Sequence, residues 1–561
     1  MMRFRPRLVA LALAVSPFAS ASAQHDLFTL PIEDPAYRQL DGLARVGCVL
    51  ARVSPYRPYL LSNIRRALVA AVRDDACRGT LLDELVLRFR PDTTPPAPPP
   101  EPGVVPPIGP VMLEDIAEGT EEDEPTGLDI GAEAGVRLTS VSRGVIRPLW
   151  LDVRPTSEGA PSAVGFGRLR VTWDGGDRIA AVAEAIAQTH GRNDPLVRAR
   201  GFRTTSGFMD FTEAYANARL GRVVLSFGRA REAWLGEGDE STVLSGHGPP
   251  LDRFLVTARW SRLEIRAIFA SIDDVVLTVE EDSLVPGTPP QRLHRMIAGH
   301  AFTIRPTRGW EVTLGETALL SRRGGGVDLA FANPLMLYLV TEHDTSYAGG
   351  SATGNNLTVF GSTRLQRGRF TAEAEIVVDD IQIDAADRAV IPHQLAWRLS
   401  GALGIAAPWP ASVGVEYRRA DSYAYMRRYY AEVYHQFGRP LGTELGPDAN
   451  LLRASADVWP TGRLRFAAGA GRWNRGALRL TQRPAQAAFG HAGEPYPSVS
   501  EARPAVQEAW LGDASVEWLD TRLPVRLMVE LAQIDNVNNQ PGESGNYLRA
   551  HLAASFRFRY P

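Results

Sequence analysis

The sequence predicts an all-β fold: a transmembrane antiparallel up-and-down β-barrel of about 18 strands, with a small N-terminal α-helical periplasmic subdomain. Three observations lead there. In the last stretch, residues 546–560, Leu548, Ala550, Leu552, Ala554, Phe556, Phe558 and Tyr560 fall on one face, and Tyr547, Arg549, His551, Ser555, Arg557 and Arg559 on the other. A strand between lipid and an aqueous lumen needs that period of two, with aromatic residues at its interfacial end. At the other terminus, Arg3, Arg5 and Arg7 precede an apolar run from Leu8 to Val15, followed by the small-residue site Ala21-Ser22-Ala23. That is the pattern of a secretory signal peptide, and no later stretch is long and apolar enough to be expected as a membrane helix. Between them, from Leu128 onward, strand follows strand with the same alternation.

Taken in order, residues 1–23 are the expected signal peptide, with no cysteine at the cleavage point to carry a lipid. Residues 24–90 read as helical. Asp34-Pro35 offers a helix start, with Tyr37, Leu40, Leu43 and Ala44 at helical spacing behind it. Residues 54–59 break the pattern. Ile64, Leu68, Ala71 and Val72 mark a second helix, and Leu81, Leu82, Leu85 and Leu87 a shorter third. So small a unit needs support. Cys48 and Cys77, the chain's two cysteines, are expected to supply it as a disulfide, because the chain is exported. Closing that loop contributes roughly 3 kcal/mol by chain entropy.

Residues 91–127 form a spacer. Ten prolines stand between 91 and 110, an extended polyproline-type segment, and seven carboxylates follow between 114 and 124. Their spacing matches no calcium loop, so a solvated acidic linker is expected. The barrel takes residues 128–561. Phe370, Ala372, Ala374, Ile376 and Val378 oppose Thr371, Glu373 and Glu375. Leu395, Trp397 and Leu399 oppose Gln394, Arg398 and Ser400, and Val525, Leu527, Val529 and Leu531 oppose Arg526 and Glu530. Short turns such as 461–462 and 366–368 alternate with longer connections at 229–252, 272–292, 341–355, 421–449 and 474–508. Residues 146–153 would make a nineteenth strand, but an antiparallel barrel closes on an even number, so about 18 are expected. Lumen-facing carboxylates and arginines are expected to pair across strands.

The charge pattern narrows function. The net charge is −3, every one of the 61 basic residues is arginine, and none form a block that could track a phosphate backbone, which argues against nucleic acid. The ten histidines show no metal-ligand spacing, so no metal and no cofactor are expected. Ser245, His247 and Asp252 lie close in sequence, but outside the strand–turn–helix setting of a nucleophile elbow, so no enzyme is expected and no catalytic residue is assigned. Two segments look like more than wall: Asp379, Asp380 and Asp384 end a strand, and Asp421, Tyr423, Tyr425, Arg427 and Tyr429 open a loop. Tyrosine rings against sugar C–H faces, with Asp and Arg to hydroxyls, is the chemistry of carbohydrate recognition, and these eight are the candidate polysaccharide-binding residues.

Several segments together resemble the Wzi family of capsule assembly outer-membrane proteins. They are Asp34-Pro35-Ala36-Tyr37 with Leu40, Asp41 and Leu43; Arg57-Pro58-Tyr59; Phe331-Ala332-Asn333-Pro334-Leu335; Asp379-Asp380-Ile381-Gln382-Ile383-Asp384; Asp421-Ser422-Tyr423-Ala424-Tyr425; and Leu441-Gly442 through Leu445-Gly446-Pro447-Asp448. The resemblance implies an 18-stranded outer-membrane barrel with periplasmic helices that binds or organises capsular or surface polysaccharide, with no catalytic residues to carry over. The expected partners are that polysaccharide, outer-membrane lipid and the barrel assembly machinery, for a chain acting as a monomer. A substrate-selective porin is the alternative the wall composition allows. The long spacer leaves open where the helices sit relative to the barrel.

Overall fold

Eighteen membrane-length strands close into one antiparallel barrel. They are β1 (Gly127–Thr139), β2 (Ala163–Asp174), β3 (Ile179–Thr189), β4 (Gly207–Leu220), β5 (Val223–Ala230), β6 (Leu251–Arg259), β7 (Leu263–Ser271), β8 (Gln291–Thr307), β9 (Trp310–Arg322), β10 (Asn356–Arg367), β11 (Phe370–Asp380), β12 (Gln394–Ile405), β13 (Ala411–Ala420), β14 (Ala449–Val458), β15 (Leu464–Arg475), β16 (Gln507–Trp518), β17 (Val525–Asp535) and β18 (Ser544–Phe558). This is a computed structural model, and it describes residues 26–90, 127–140, 162–176, 178–190, 201–204, 206–236, 241–277, 291–322, 329–343, 355–381, 393–406, 408–427, 430–480 and 505–558. The expected signal peptide, nearly all of the spacer and the stretch 146–153 lie outside the described residues.

The alternation has the anticipated cause. Leu169, Leu314, Val415, Leu548 and Phe556 are each more than half exposed on the outer face, a surface that only an apolar surround tolerates over a whole barrel. Closure is by β18 on β1, from Thr139↔His551 to Ala132↔Phe558. On the lumen side of that seam, Glu133 accepts hydrogen bonds from the Ser555 hydroxyl and the Arg557 guanidinium. Short turns at 175–178, 221–222, 260–262, 308–309, 368–369, 406–410, 459–463 and 519–524 make one rim, and the longer connections make the other.

Three helices lie at the short-turn rim: α1 (Ala36–Arg45), α2 (Leu61–Val72) and α3 (Thr80–Phe89). Asp34 starts α1 as expected, accepting from the Ala36 N–H at 2.8 Å while pairing with Arg88 at 2.6 Å. Leu40, Leu43, Ile64, Leu68, Leu81 and Leu85 meet in one core, and Cys48 and Cys77 are disulfide-bonded. Leu87, grouped by sequence with the apolar set of α3, is 61% exposed. Leu85 and Phe89 are four apart and share the buried face, which leaves Leu87 on the opposite side. The helices dock on the barrel. Gln39 donates to the Gly462 carbonyl at 2.7 Å, Arg45 pairs with Asp457 at 2.9 Å, and Glu84 pairs with Arg463 at 2.7 Å. Gly42 lets α1 approach closely there, since a Cβ would stand 3.0 Å from the Trp459 indole nitrogen.

Candidate functional site: a lumen filled from both ends

The wall of the lumen is charged in both signs, and the strand register pairs the charges. Glu375 and Arg398 are opposite neighbours on β11 and β12, 2.9 Å apart, and Arg364 and Glu373 on β10 and β11 meet at 2.8 Å. Glu517 on β16 takes Arg465 at 3.5 Å and Arg526 at 3.1 Å, and Glu530 takes Arg549 at 2.6 Å. Arg398 also reaches Glu373 and Glu416, so that one guanidinium serves three carboxylates. Directly opposed charges of this kind stabilise a sheet and satisfy groups that have left water.

From the short-turn rim, residues 54–57 enter this wall. Ser54 donates to Glu264 at 2.7 Å, and the Tyr56 hydroxyl meets that of Thr303 at 2.7 Å. Burial raises the Tyr56 pKa and keeps the phenol protonated. Tyr56 and Arg57 then pair, antiparallel, with Trp234 and Ala233 of the β5–β6 connection. Trp234 is fully buried, edge-on to Tyr56 at 5.6 Å and to the wall residue Phe360 at 6.2 Å. A segment from one end of the barrel therefore forms a small sheet with a segment from the other.

At the loop end the connection 421–448 folds inward. Asp379, at the end of β11, is buried; it accepts the Tyr425 N–H at 2.8 Å and pairs with Arg427 at 3.2 Å. Arg427 also donates to Gln394 at 2.9 Å. The Tyr425 hydroxyl donates to the Thr242 carbonyl at 2.6 Å, and the Thr242 hydroxyl donates to Glu375 at 2.9 Å. The Tyr425 ring stacks on Tyr434 at 5.7 Å. Gly442 permits the approach of the two connections, because a Cβ there would stand 2.7 Å from the Thr242 carbonyl oxygen. Arg295 of β8 anchors the same loop, donating to the carbonyls of Ala431, Val433 and His435. Burial, with the Arg295 charge beside it, pushes the His435 pKa well down and holds that ring neutral.

The structure brings together Asp379, Tyr425 and Arg427 from the sequence-derived set. Tyr423 and Tyr425 are buried in one cluster with Trp234 and Leu441, so their rings are covered by protein rather than presented to the surface. Asp380 and Asp421 are half-buried at the loop rim, where Asp421 accepts from Arg419 at 2.9 Å. Asp384 and Tyr429 lie outside the described residues. Trp234 and Thr242 were not anticipated. The apolar pairs Trp234-Leu235 and Val243-Leu244, inside a connection otherwise read as polar, were the available signal. Ser245 donates its N–H to the Leu441 carbonyl at 2.7 Å, and its hydroxyl is buried with no partner among the described residues. Asp252 is gripped by Arg229 at 2.6 and 2.9 Å, and the His247 ring lies 4.0 Å from Glu444.

No protein-family model matches the chain, and no curated protein matches it in sequence. Solved structures do. OccD3 (OpdP) of Pseudomonas aeruginosa is 9% identical with a TM-score of 0.43, over 78% of this chain and 91% of that one. OprD from Pseudomonas aeruginosa is 9% identical with a TM-score of 0.42, over 77% and 93%. Wzi, an outer membrane protein involved in group 1 capsule assembly in Escherichia coli and a carbohydrate-binding β-barrel, is 12% identical with a TM-score of 0.56, over 95% of this chain and 100% of that one. At that identity the likeness is one of fold, and the fold is that of an outer-membrane barrel with 18 strands.

Proposed function

We propose that this chain is a non-enzymatic, non-conducting outer-membrane barrel that binds or organises capsular or other surface polysaccharide at its loop end. The carrying observation is the sheet that Tyr56 and Arg57 make with Trp234 and Ala233 inside the barrel, since chain from both rims occupies the path a solute would take. The fold likeness to a carbohydrate-binding barrel supports the same reading. In this reading the short-turn rim faces the periplasm, as short turns do in outer-membrane barrels, with the three helices on that side and the long connections at the cell surface. On the same reading Asp380, Asp384, Asp421 and Tyr429 meet the glycan, while Asp379, Tyr423, Tyr425 and Arg427 hold the 421–448 connection against the end of β11. The chain works as a monomer in outer-membrane lipid, where the barrel assembly machinery inserts it.

Two measurements test this. Purified protein in a planar bilayer is expected to give no steady current, and immobilised protein to retain surface polysaccharide extracted from the source cells. Asp380→Ala with Asp421→Ala is expected to weaken retention about fivefold or more, the loss of one or two hydrogen bonds to hydroxyls. A stable ohmic current without glycan retention would replace the proposal by a porin.

A further inference from the structure

At the short-turn rim, between α2 and the turns at 221–222, 260–262 and 308–309, lies a cleft of about 810 Å³. Its lining is dominated by arginine, and Glu311 is its one carboxylate among the described residues. The deeper arginines are occupied. Arg305 pairs with Glu264 and Glu311 at 2.9 and 3.0 Å, and Arg259 donates to the Val53 carbonyl at 2.6 Å. Even so, Arg305 keeps Nη1 buried without an acceptor among the described residues. The outer four, Arg66, Arg222, Arg262 and Arg308, are exposed, and their side chains meet no acidic residue or other partner among the described residues. Four like charges converging on one concave space repel one another and raise the potential for an anion there. The outer edge of the cleft is formed by Trp260 and Trp310, 37% and 44% exposed. Trp310 shares the outward face of β9 with Leu314, which is 63% exposed. Tryptophan at the end of an apolar band marks the depth of lipid headgroups. A cleft that joins an arginine-lined interior to that depth matches a molecule with an anionic head and an apolar tail.

We infer that this cleft binds the phosphate headgroup of an anionic membrane lipid in the leaflet that meets the short-turn rim. Guanidinium groups take phosphate oxygens in two-pronged, charge-assisted hydrogen bonds, and the tryptophan pair lies alongside the glycerol and upper acyl region. The inference is independent of any glycan, because it concerns the opposite end of the barrel.

Native mass spectrometry of the full-length protein in detergent tests it, with equal amounts of phosphatidylglycerol and phosphatidylcholine added. Wild type is expected to retain phosphatidylglycerol about tenfold or more over phosphatidylcholine, each arginine near the headgroup adding its share. The variant Arg66→Gln, Arg222→Gln, Arg262→Gln, Arg308→Gln is expected to lose that preference while still migrating as a heat-modifiable barrel. If it fails to fold, Arg262→Gln with Arg308→Gln, two turn positions with no partner to lose among the described residues, is expected to lower the preference about threefold or more. Equal retention by wild type and either folded variant overturns the site. Displacement of the lipid by millimolar inorganic phosphate assigns the cleft to free phosphate and overturns the lipid, and stronger retention of a polyglucuronate added alongside does the same in favour of an acidic polymer.

Discussion

One guanidinium holds much of the loop end of the lumen. Arg295 is fully buried; it donates to three carbonyls of the 430–441 segment at 2.6 to 3.0 Å and pairs with Asp273 at 3.0 Å. Arg295→Met keeps the length and apolar stem but removes the charge-assisted bonds to those carbonyls and to Asp273, each at a cost of about 1.5–3 kcal/mol if the segment stays seated. The segment is expected to leave its seat instead, so trypsin should cut at Arg439 faster in the variant while the barrel remains heat-modifiable. An unchanged cleavage rate would sink this role. The neighbouring His435 gives the same segment a pH dependence. Its pKa is depressed in the seated loop, so below about pH 6.5 the opened loop takes up a proton that the seated one does not. Seating is therefore full above that pH and weakens by about 1.4 kcal/mol for each unit below it. Hydrogen exchange across 431–441 should accelerate on going from pH 7.5 to 5, beyond the intrinsic rate change, and His435→Gln should flatten that dependence.

Among the elements, β18 has two tasks: it supplies a lipid face like any other strand, and it closes the barrel on β1. Removing residues 556–560 deletes the pairs Ala134↔Phe556, Glu133↔Arg557 and Ala132↔Phe558, and strips buried Glu133 of Arg557. An open edge in lipid leaves backbone groups unsatisfied, so the truncated chain is expected to be absent from the outer-membrane fraction. Its normal insertion would refute the closing role. Strands of this kind were legible because their two faces meet different solvents, as Leu548 and Arg549 do, and the helices were legible from leucines at helical spacing. What the loops do was not. Tyr425 is fixed by Asp379 and by Thr242, which is 183 positions away, and no local pattern encodes contacts at such separation. Sequence set Asp379, Tyr425 and Arg427 together as glycan contacts, and the structure shows Asp379 bonded to both of the others; an aromatic ring covered by protein and one offered to a sugar are written with the same letters.

Over the whole molecule, what the barrel holds at its short-turn rim and at its loop end divides into two bodies with separate clusters. The helical subdomain has its own cluster around Leu40, Ile64 and Leu85, and the loop end has another around Trp234, Tyr425 and Leu441. They touch where Tyr56 meets Trp234, and Tyr56 belongs to the second cluster rather than the first. The wall around them is held by its own cross-strand pairs, such as Arg364–Glu373 and Glu530–Arg549, which need neither body. Deleting residues 26–90 should therefore leave a folded, heat-modifiable barrel. Glu264 would lose Ser54 but keep Arg305, and water replaces the rest. The loop body would still obstruct the lumen, so the deletion alone is expected to produce only brief, irregular openings in a planar bilayer. Adding Arg295→Met, which frees the 430–441 segment, should convert these into a steady current larger than either change gives singly. If the deletion alone conducts steadily, the loop body does not block the barrel, and the two-ended filling argued from Tyr56 and Trp234 fails.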